Sequence, residues 1–267
     1  MEQATFEEYR ALIYQKSGIA LASGKEALVS SRVAKRMRQL LMDDHRAYLR
    51  YLKEDTTGEE IIHLLDAIST NVTSFYRESA HFEILASLLA EWHREGQRRF
   101  RIWCAAASSG EEPYTIAMTL LEALGGNGVD MRILATDIST RALASAMEGV
   151  YGEERVKAIP KPLLSRYFDK GGARDAISYS ARQPLRNLLL FRRLNLSEPP
   201  FPMRGPLDVV FCRNVMIYFD NRVRGRLLDE AYRLLKPGGY LFVGHAESLT
   251  GMVSSFKLVR PSVYRKA

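Results

Sequence analysis

The sequence predicts an α/β protein: a small all-helical N-terminal domain, then a doubly wound α/β domain with a small antiparallel β subdomain inserted into it. Three observations predict this. Helical periodicity without a strand runs from Phe6 to about Leu65. From "GQRRF" (96–100) onward, short apolar runs alternate with helices, the pattern of a parallel sheet covered on both faces. Between Met147 and Leu188 the chain runs far past the 2 to 6 residues usual for such a connection, so an insertion must sit there. The expected division is 1–70 for the helical domain, 71–97 for a linker helix, and 98–267 for the α/β domain with its β subdomain at about 151–188.

The elements follow in order. Tyr9, Ile13, Val29, Val33, Met37, Tyr48, Leu49, Leu52, Ile61 and Leu65 recur at helical spacing. Residues 67–95 read as helix on both sides of the interruption "NVTSFYRE" (71–78), the later helix having Phe82, Leu85, Leu88 and Leu89 on its apolar face. Strands are expected at 101–105, 132–136, 188–194, 207–212 and 240–244, helices at 112–124, 141–147 and 222–235, and a closing edge hairpin at 256–259 and 262–265. Ala176 to Arg182 has β character after the turn signal Gly171-Gly172, which marks the inserted part as antiparallel sheet.

At 267 residues and 46% hydrophobic composition the chain can bury a sizeable core. No apolar run approaches the roughly 20 residues of a bilayer span, and no basic-then-apolar leader follows Met1, so a cytoplasmic location without membrane insertion is expected. Cys104 and Cys212 lie in separate apolar segments without partners at zinc spacing, so they read as buried small hydrophobes and no metal is expected. The net charge of +7 favours an acidic partner: nucleic acid, anionic lipid or an acidic protein surface. A monomer is the default expectation.

Ligands of a doubly wound sheet bind beyond the carboxyl ends of its strands, so the residues just past each strand are the candidates. After the first strand, "AAASSGEEPY" (105–114) offers small residues and a helix start, but neither GxGxxG nor a P-loop lysine, which argues against dinucleotide and nucleoside triphosphate binding. Glu111 and Glu112 suit a cationic or hydroxylated ligand, or are ordinary first-turn acids. Asp137 after the second strand can accept from both hydroxyls of a ribose, or Asp137 or Ser139 caps a helix. Asn195 and Leu196 after the third strand could meet a base edge and cover its ring; an Asn there is also a common turn residue. After the fourth strand Arg213, Asn214 and Tyr218 bring a cation, an amide and a phenol to the same rim.

Together "NVTSFYRE", "AAASSGEEPYTIAM" (105–118), "FCRNVMIYF" (211–219) and "LKPGGYLFVGHAES" (235–248), in that order, resemble the chemotaxis receptor methyltransferases, the CheR family. The resemblance covers nearly the whole chain. It implies a Rossmann-like S-adenosylmethionine-methyltransferase domain, product S-adenosylhomocysteine, and methyl esterification of glutamates on the cytoplasmic helical domain of chemoreceptors. By motif it implies a cofactor pocket of Asn71, Thr73, Arg77, Glu112, Asp137, Asn195, Leu196, Cys212, Arg213 and Asn214, with Arg77 and Tyr218 holding the reacting groups. A receptor C-terminal peptide docking on the β subdomain is a further implication. One departure is Phe75-Tyr76, where many relatives have two phenylalanines.

The segment 30–53 carries seven basic and two acidic residues. Such a run is commonly a solvated face. For a glutamate-rich substrate, Arg32, Lys35, Arg36 and Arg38 would be a docking surface. The rival substrate class, nucleic acid, lacks an Asn-Pro-Pro-Tyr or Asp-Pro-Pro-Tyr motif after the fourth strand and an aromatic-interleaved basic patch. A second rival is a non-catalytic sensor of the cofactor.

Overall fold

The computed structural model describes residues 1–125, 128–173, 176–249, 251–252 and 254–267. Four helices, α1 (Gln3–Ser17), α2 (Glu26–Gln39), α3 (His45–Glu54) and α4 (Glu59–Ile68), make the N-terminal part. Their apolar stripes, among them Phe6, Tyr9, Ile13, Val29, Val33 and Leu64, meet in one buried core. Asp44 starts α3, its carboxylate accepting from the backbone amides of Arg46 and Ala47.

Within this bundle lies one charged group with a strict requirement. Glu60 is 4% exposed. Its two oxygens accept from Arg36 Nε and Nη2 at 2.9 and 2.6 Å, and the Tyr48 hydroxyl donates to it at 2.6 Å. Burial pushes the Glu60 carboxyl up, but the hydrogen bonds from Arg36 and Tyr48 outweigh it and hold it below the usual glutamate range. Arg36, expected on a docking face, is therefore spent on a bidentate pair inside the bundle. Arg32 likewise points back, donating to the Ile68 carbonyl and the Thr70 hydroxyl. Of the four basic residues expected to dock a partner, Lys35 and Arg38 are the exposed ones.

The rest of the chain runs α5 (Ala80–Arg94), β1 (Arg99–Cys104), α6 (Glu111–Leu124), β2 (Asp130–Asp137) and α7 (Thr140–Glu148). An inserted unit follows: β3 (Val150–Gly152), α8 (Glu153–Val156), α9 (Lys161–Tyr167), β4 (Phe168–Gly171), β5 (Ser178–Ala181) and α10 (Gln183–Arg186). The chain then re-enters the main sheet through β6 (Leu189–Arg193), β7 (Leu207–Cys212), α11 (Asn221–Leu234), β8 (Leu235–Val243), β9 (Phe256–Arg260) and β10 (Val263–Lys266). The seven-stranded order is β6-β2-β1-β7-β8-β10-β9; the insert forms a three-stranded antiparallel sheet, β3-β5-β4. Strands β6, β2, β1, β7 and β8 pair in parallel, while β10 runs antiparallel to both its neighbours. Strand order reverses between β1 and β7, which fixes the end of the sheet where a ligand fits.

Two expectations change on contact with the structure. The stretch 71–79 is an extended strip and turn rather than helix, α5 starting only at Ala80. The Pro237-Gly238-Gly239 segment, ahead of the strand expected at 240–244, is part of β8, which starts at Leu235. Its pairing with β7 shifts register between Leu207 and Val209, and a Cβ on Gly239 would stand 3.0 Å from the Asp208 carbonyl. Proline lacks the donor a regular ladder needs, so the segment forms a bulge.

Removing Arg36 by Arg36→Ala leaves Glu60 charged and buried, and denaturant unfolding should show a loss of about 3 kcal/mol; Arg38→Ala should stay within about 0.5 kcal/mol. Because the Glu60 pKa is depressed in the folded state, its contribution is present above about pH 4.3 and is lost as pH falls through the folded value. Acid titration of stability should therefore be shallower in Glu60→Gln than in wild type.

Candidate functional site

A cleft of about 500 Å³ opens beyond the carboxyl ends of β1, β2, β6 and β7. Its floor is the sheet's rim: Ala105, Ala106 and Ser108 after β1, Asp137 and Ile138 at the end of β2, Leu194 to Leu196 after β6, and Arg213 to Val215 after β7. Its far wall comes from the helical domain, through the α1–α2 connection (Ile19 to Ala22), Lys25, Arg32 and the stretch Ile68 to Asn71. A volume within the 300 to 1,000 Å³ of small-molecule sites suits a nucleoside-sized ligand.

The wall is fastened by specific bonds. The Ala20 amide donates to the Tyr218 carbonyl at 2.8 Å beside an isolated bridge between Ile19 and Phe219. The Tyr14 hydroxyl donates to Asp220 at 2.6 Å, and Asn195 Nδ2 donates to the Lys16 carbonyl at 2.9 Å. Asn195 Oδ1 meanwhile accepts from the Ser197 amide and hydroxyl. Its amide thus acts as the turn residue that locks the β6 loop to α1, and Asn195 borders the cleft with its side chain already engaged.

Asp137 is the acceptor aimed into this space. It is 7% exposed, and its oxygens accept from the amides of Ser108 at 2.8 Å and Ser139 at 2.9 Å. Capping of α7 belongs to Ser139, whose hydroxyl oxygen accepts from the Ala142 amide. Asp137 therefore holds the two loops together while it borders the cleft. Burial raises its pKa, while the amides of Ser139 and Ser108 oppose that shift.

Behind the cleft stands Arg213, 3% exposed. One side of its guanidinium pairs with Glu112. The other donates to the Arg77 carbonyl and lies 3.1 Å from Glu78. Glu112 also accepts from the Cys104 thiol at 3.2 Å; burial pushes its carboxyl up while Arg213 pulls it down. A single guanidinium so joins the end of β7, the first turn of α6 and the 71–78 strip.

That strip has two jobs. Phe75, 1% exposed, packs edge-on against Tyr151 and Phe168 of the inserted unit at 4.9 and 5.8 Å, anchoring the strip, while Asn71 at its start reaches the cleft. Tyr76, Glu78, Ser108 and Asn214 all have left-handed φ, between 49° and 57°, a cost that surrounding contacts must hold in place. For Asn214 the holder is Glu247. Buried to 3% exposure, Glu247 accepts from the amides of Asn214, Ile217 and Gly244.

Of the residues expected at the site, the structure gathers Asn71, Asp137, Asn195, Leu196, Arg213, Asn214 and Tyr218 around the cleft, and adds Arg32. Thr73, Arg77, Glu112 and Cys212 lie outside its lining. Cys212 is core between sheet and α11, Glu112 faces Arg213, and Arg77 turns its guanidinium back to the Val72 carbonyl at 3.0 Å. Sequence reasoning missed Lys25, the 19–22 connection and Glu247. The last lay within a quoted motif; the first two have no motif, because a loop distant in sequence reached the rim only through folding.

Comparisons with known proteins place the chain by its sequence. The family model "CheR methyltransferase, all-alpha domain" matches residues 4–69 and "CheR methyltransferase, SAM binding domain" matches residues 71–265. "Chemotaxis protein methyltransferase 2" of Pseudomonas aeruginosa is 40% identical, over 98% of this chain and 92% of that protein. "Chemotaxis protein methyltransferase" of Salmonella typhimurium is 40% identical over 99% of this chain and 90% of its own, and that of Borreliella burgdorferi 37% identical over 96% and 91%. Among solved structures, a SAM-dependent methyltransferase from Methanosarcina mazei overlaps 57% of this chain and 55% of its own at 19% identity and a TM-score of 0.33.

Asp137→Ala removes the carboxylate facing the cleft and should weaken S-adenosylhomocysteine binding about 10- to 100-fold, the size of a lost hydrogen bond to a charged group. Isothermal calorimetry on protein shown folded by circular dichroism checks it.

Proposed function

The chain belongs to the CheR methyltransferase family, and from that premise we propose that it is a protein-glutamate O-methyltransferase acting on the cytoplasmic helices of chemoreceptors. The observation that carries this reading is the similarity, over 98–99% of the chain, to proteins named chemotaxis protein methyltransferase. The fit of S-adenosylmethionine rests on the cleft: small residues at Ala105 and Ala106 allow close approach, and Asp137 offers a diol-accepting carboxylate.

S-adenosylmethionine, when bound, supplies a sulfonium methyl group for attack by a carboxylate oxygen. A glutamate titrates near pH 4.3 and arrives ionised at neutral pH, so no general base is required. The protein's work is then positioning and exclusion of water. Asp137, Asn71 and Leu196 hold the nucleoside side in this reading; Asn214 and Tyr218, on the loop clamped by Glu247, face the reacting side. Lys25 and Arg32 on the far wall give the incoming carboxylate a positive approach. Thr73 and Arg77 act by shaping the strip, and Arg77 can reach the site only after releasing Val72.

Labelled methyl from S-adenosylmethionine should pass to a co-incubated chemoreceptor cytoplasmic fragment and be released by base. Cofactor binding without label on any fragment in a broad panel would favour the sensor reading. Charge reversal of both Lys35 and Arg38 should lower transfer several-fold at low salt, less at high salt, and leave S-adenosylhomocysteine affinity unchanged.

A further inference from the structure

Outside the cleft, three metal-ligating side chains converge where the 71–78 strip meets the loop after β8. Glu78 ends the strip, His81 lies three residues on in the first turn of α5, and His245 stands in the loop beyond β8. One ligand atom from each lies within 4.8 Å of the others. Glu78 Oε2 is 3.6 Å from His81 Nδ1 and 3.7 Å from His245 Nε2. Zinc bonds of 2.0 to 2.1 Å place neighbouring tetrahedral donors about 3.3 Å apart. The two spacings from Glu78 need to contract by a few tenths of an ångström, and the two histidine nitrogens, within 4.8 Å of each other, by at most about 1.5 Å.

His81 supplies an independent observation. It is 1% exposed, and neither ring nitrogen has a hydrogen-bond partner; the neighbouring Glu78 Oε2 lies 3.1 Å from the Arg213 guanidinium. Nearly all buried polar groups are satisfied, so a buried imidazole with both nitrogens unpaired marks a place where a further atom belongs. Its surroundings suit a neutral ligand: burial, and then the charge of Arg213, push the His81 pKa down to about 4. Arg213 opposes a cation here, yet it is shared between two carboxylates, Glu112 and Glu78. Glu112 takes one side of that guanidinium, which leaves Glu78 as the anionic member of the cluster.

We propose that Glu78, His81 and His245 form a binding site for a divalent cation of borderline softness, zinc above all, with a coordination position left to water. His245 precedes by two residues the Glu247 that clamps the 214–217 loop. Occupancy therefore ties that loop to the strip closing the cofactor cleft. The role is a clamp, and the site stands on its own residues whatever protein the methyl group reaches.

The test uses tag-free, chelator-treated full-length protein titrated with zinc chloride against a chromophoric competitor. One equivalent should bind, and His245→Ala should weaken binding at least tenfold. Because that side chain is 59% exposed, the metal-free variant should melt with wild type. Cobalt(II) should give a ligand-field spectrum of nitrogen and oxygen donors that His245→Ala abolishes. Absence of stoichiometric binding, or undiminished binding by His245→Ala, overturns the proposal.

Discussion

The site depends on the buried guanidinium of Arg213. With Glu112 on one side, and Glu78 and the Arg77 carbonyl on the other, it joins three segments that share no local sequence. A planar donor fork is suited to this; a lysine would offer a point charge without the second direction. Removing Arg213 leaves Glu112 and Glu78 without their countercharge in a dry interior, a far greater loss than the pairs' net worth. The strip 71–78, strained at Tyr76 and Glu78, keeps its shape because this network and the Phe75 contacts with Tyr151 and Phe168 hold it from two ends.

A second dependence runs through the helical domain. It does more than precede the sheet: the α1–α2 connection and the end of α4 form one wall of the cleft. The fastening bonds are few and partly exposed, from Tyr14 to Asp220, Asn195 to Lys16, and Ala20 to Tyr218. Elsewhere along the helical domain, Asp66 accepts from the Thr140 hydroxyl at 2.6 Å, joining α4 to the start of α7. The two cores of the sheet lie under α5 and α6 on one face and α11 on the other.

Much of this was legible in the sequence for physical reasons. Apolar periodicity reports burial, so the bundle, the strand at 207–212 and the closing hairpin could be read directly. Placing candidates just past strand ends named Asp137, Leu196, Arg213, Asn214 and Tyr218, which the fold brings to one cleft because sheet topology dictates where those positions meet. What could not be read was partner choice. Nothing local told Arg36, turned inward to Glu60, from Arg38, left in solvent. Nor did "NVTSFYRE" reveal that Asn71 faces the cleft while Arg77 turns away, since that division depends on which distant groups, Arg213 and the inserted aromatics, grip the strip.

The most direct test of Arg213's role is amide hydrogen exchange across residues 71–79, compared with the amides of β1 and β7, in wild type and Arg213→Lys. Loss of the fork should accelerate exchange in the strip well beyond any change in the sheet and weaken S-adenosylhomocysteine binding in step. Equal protection of the strip in both proteins, with unchanged ligand affinity, would contradict the claim that this guanidinium holds the site together.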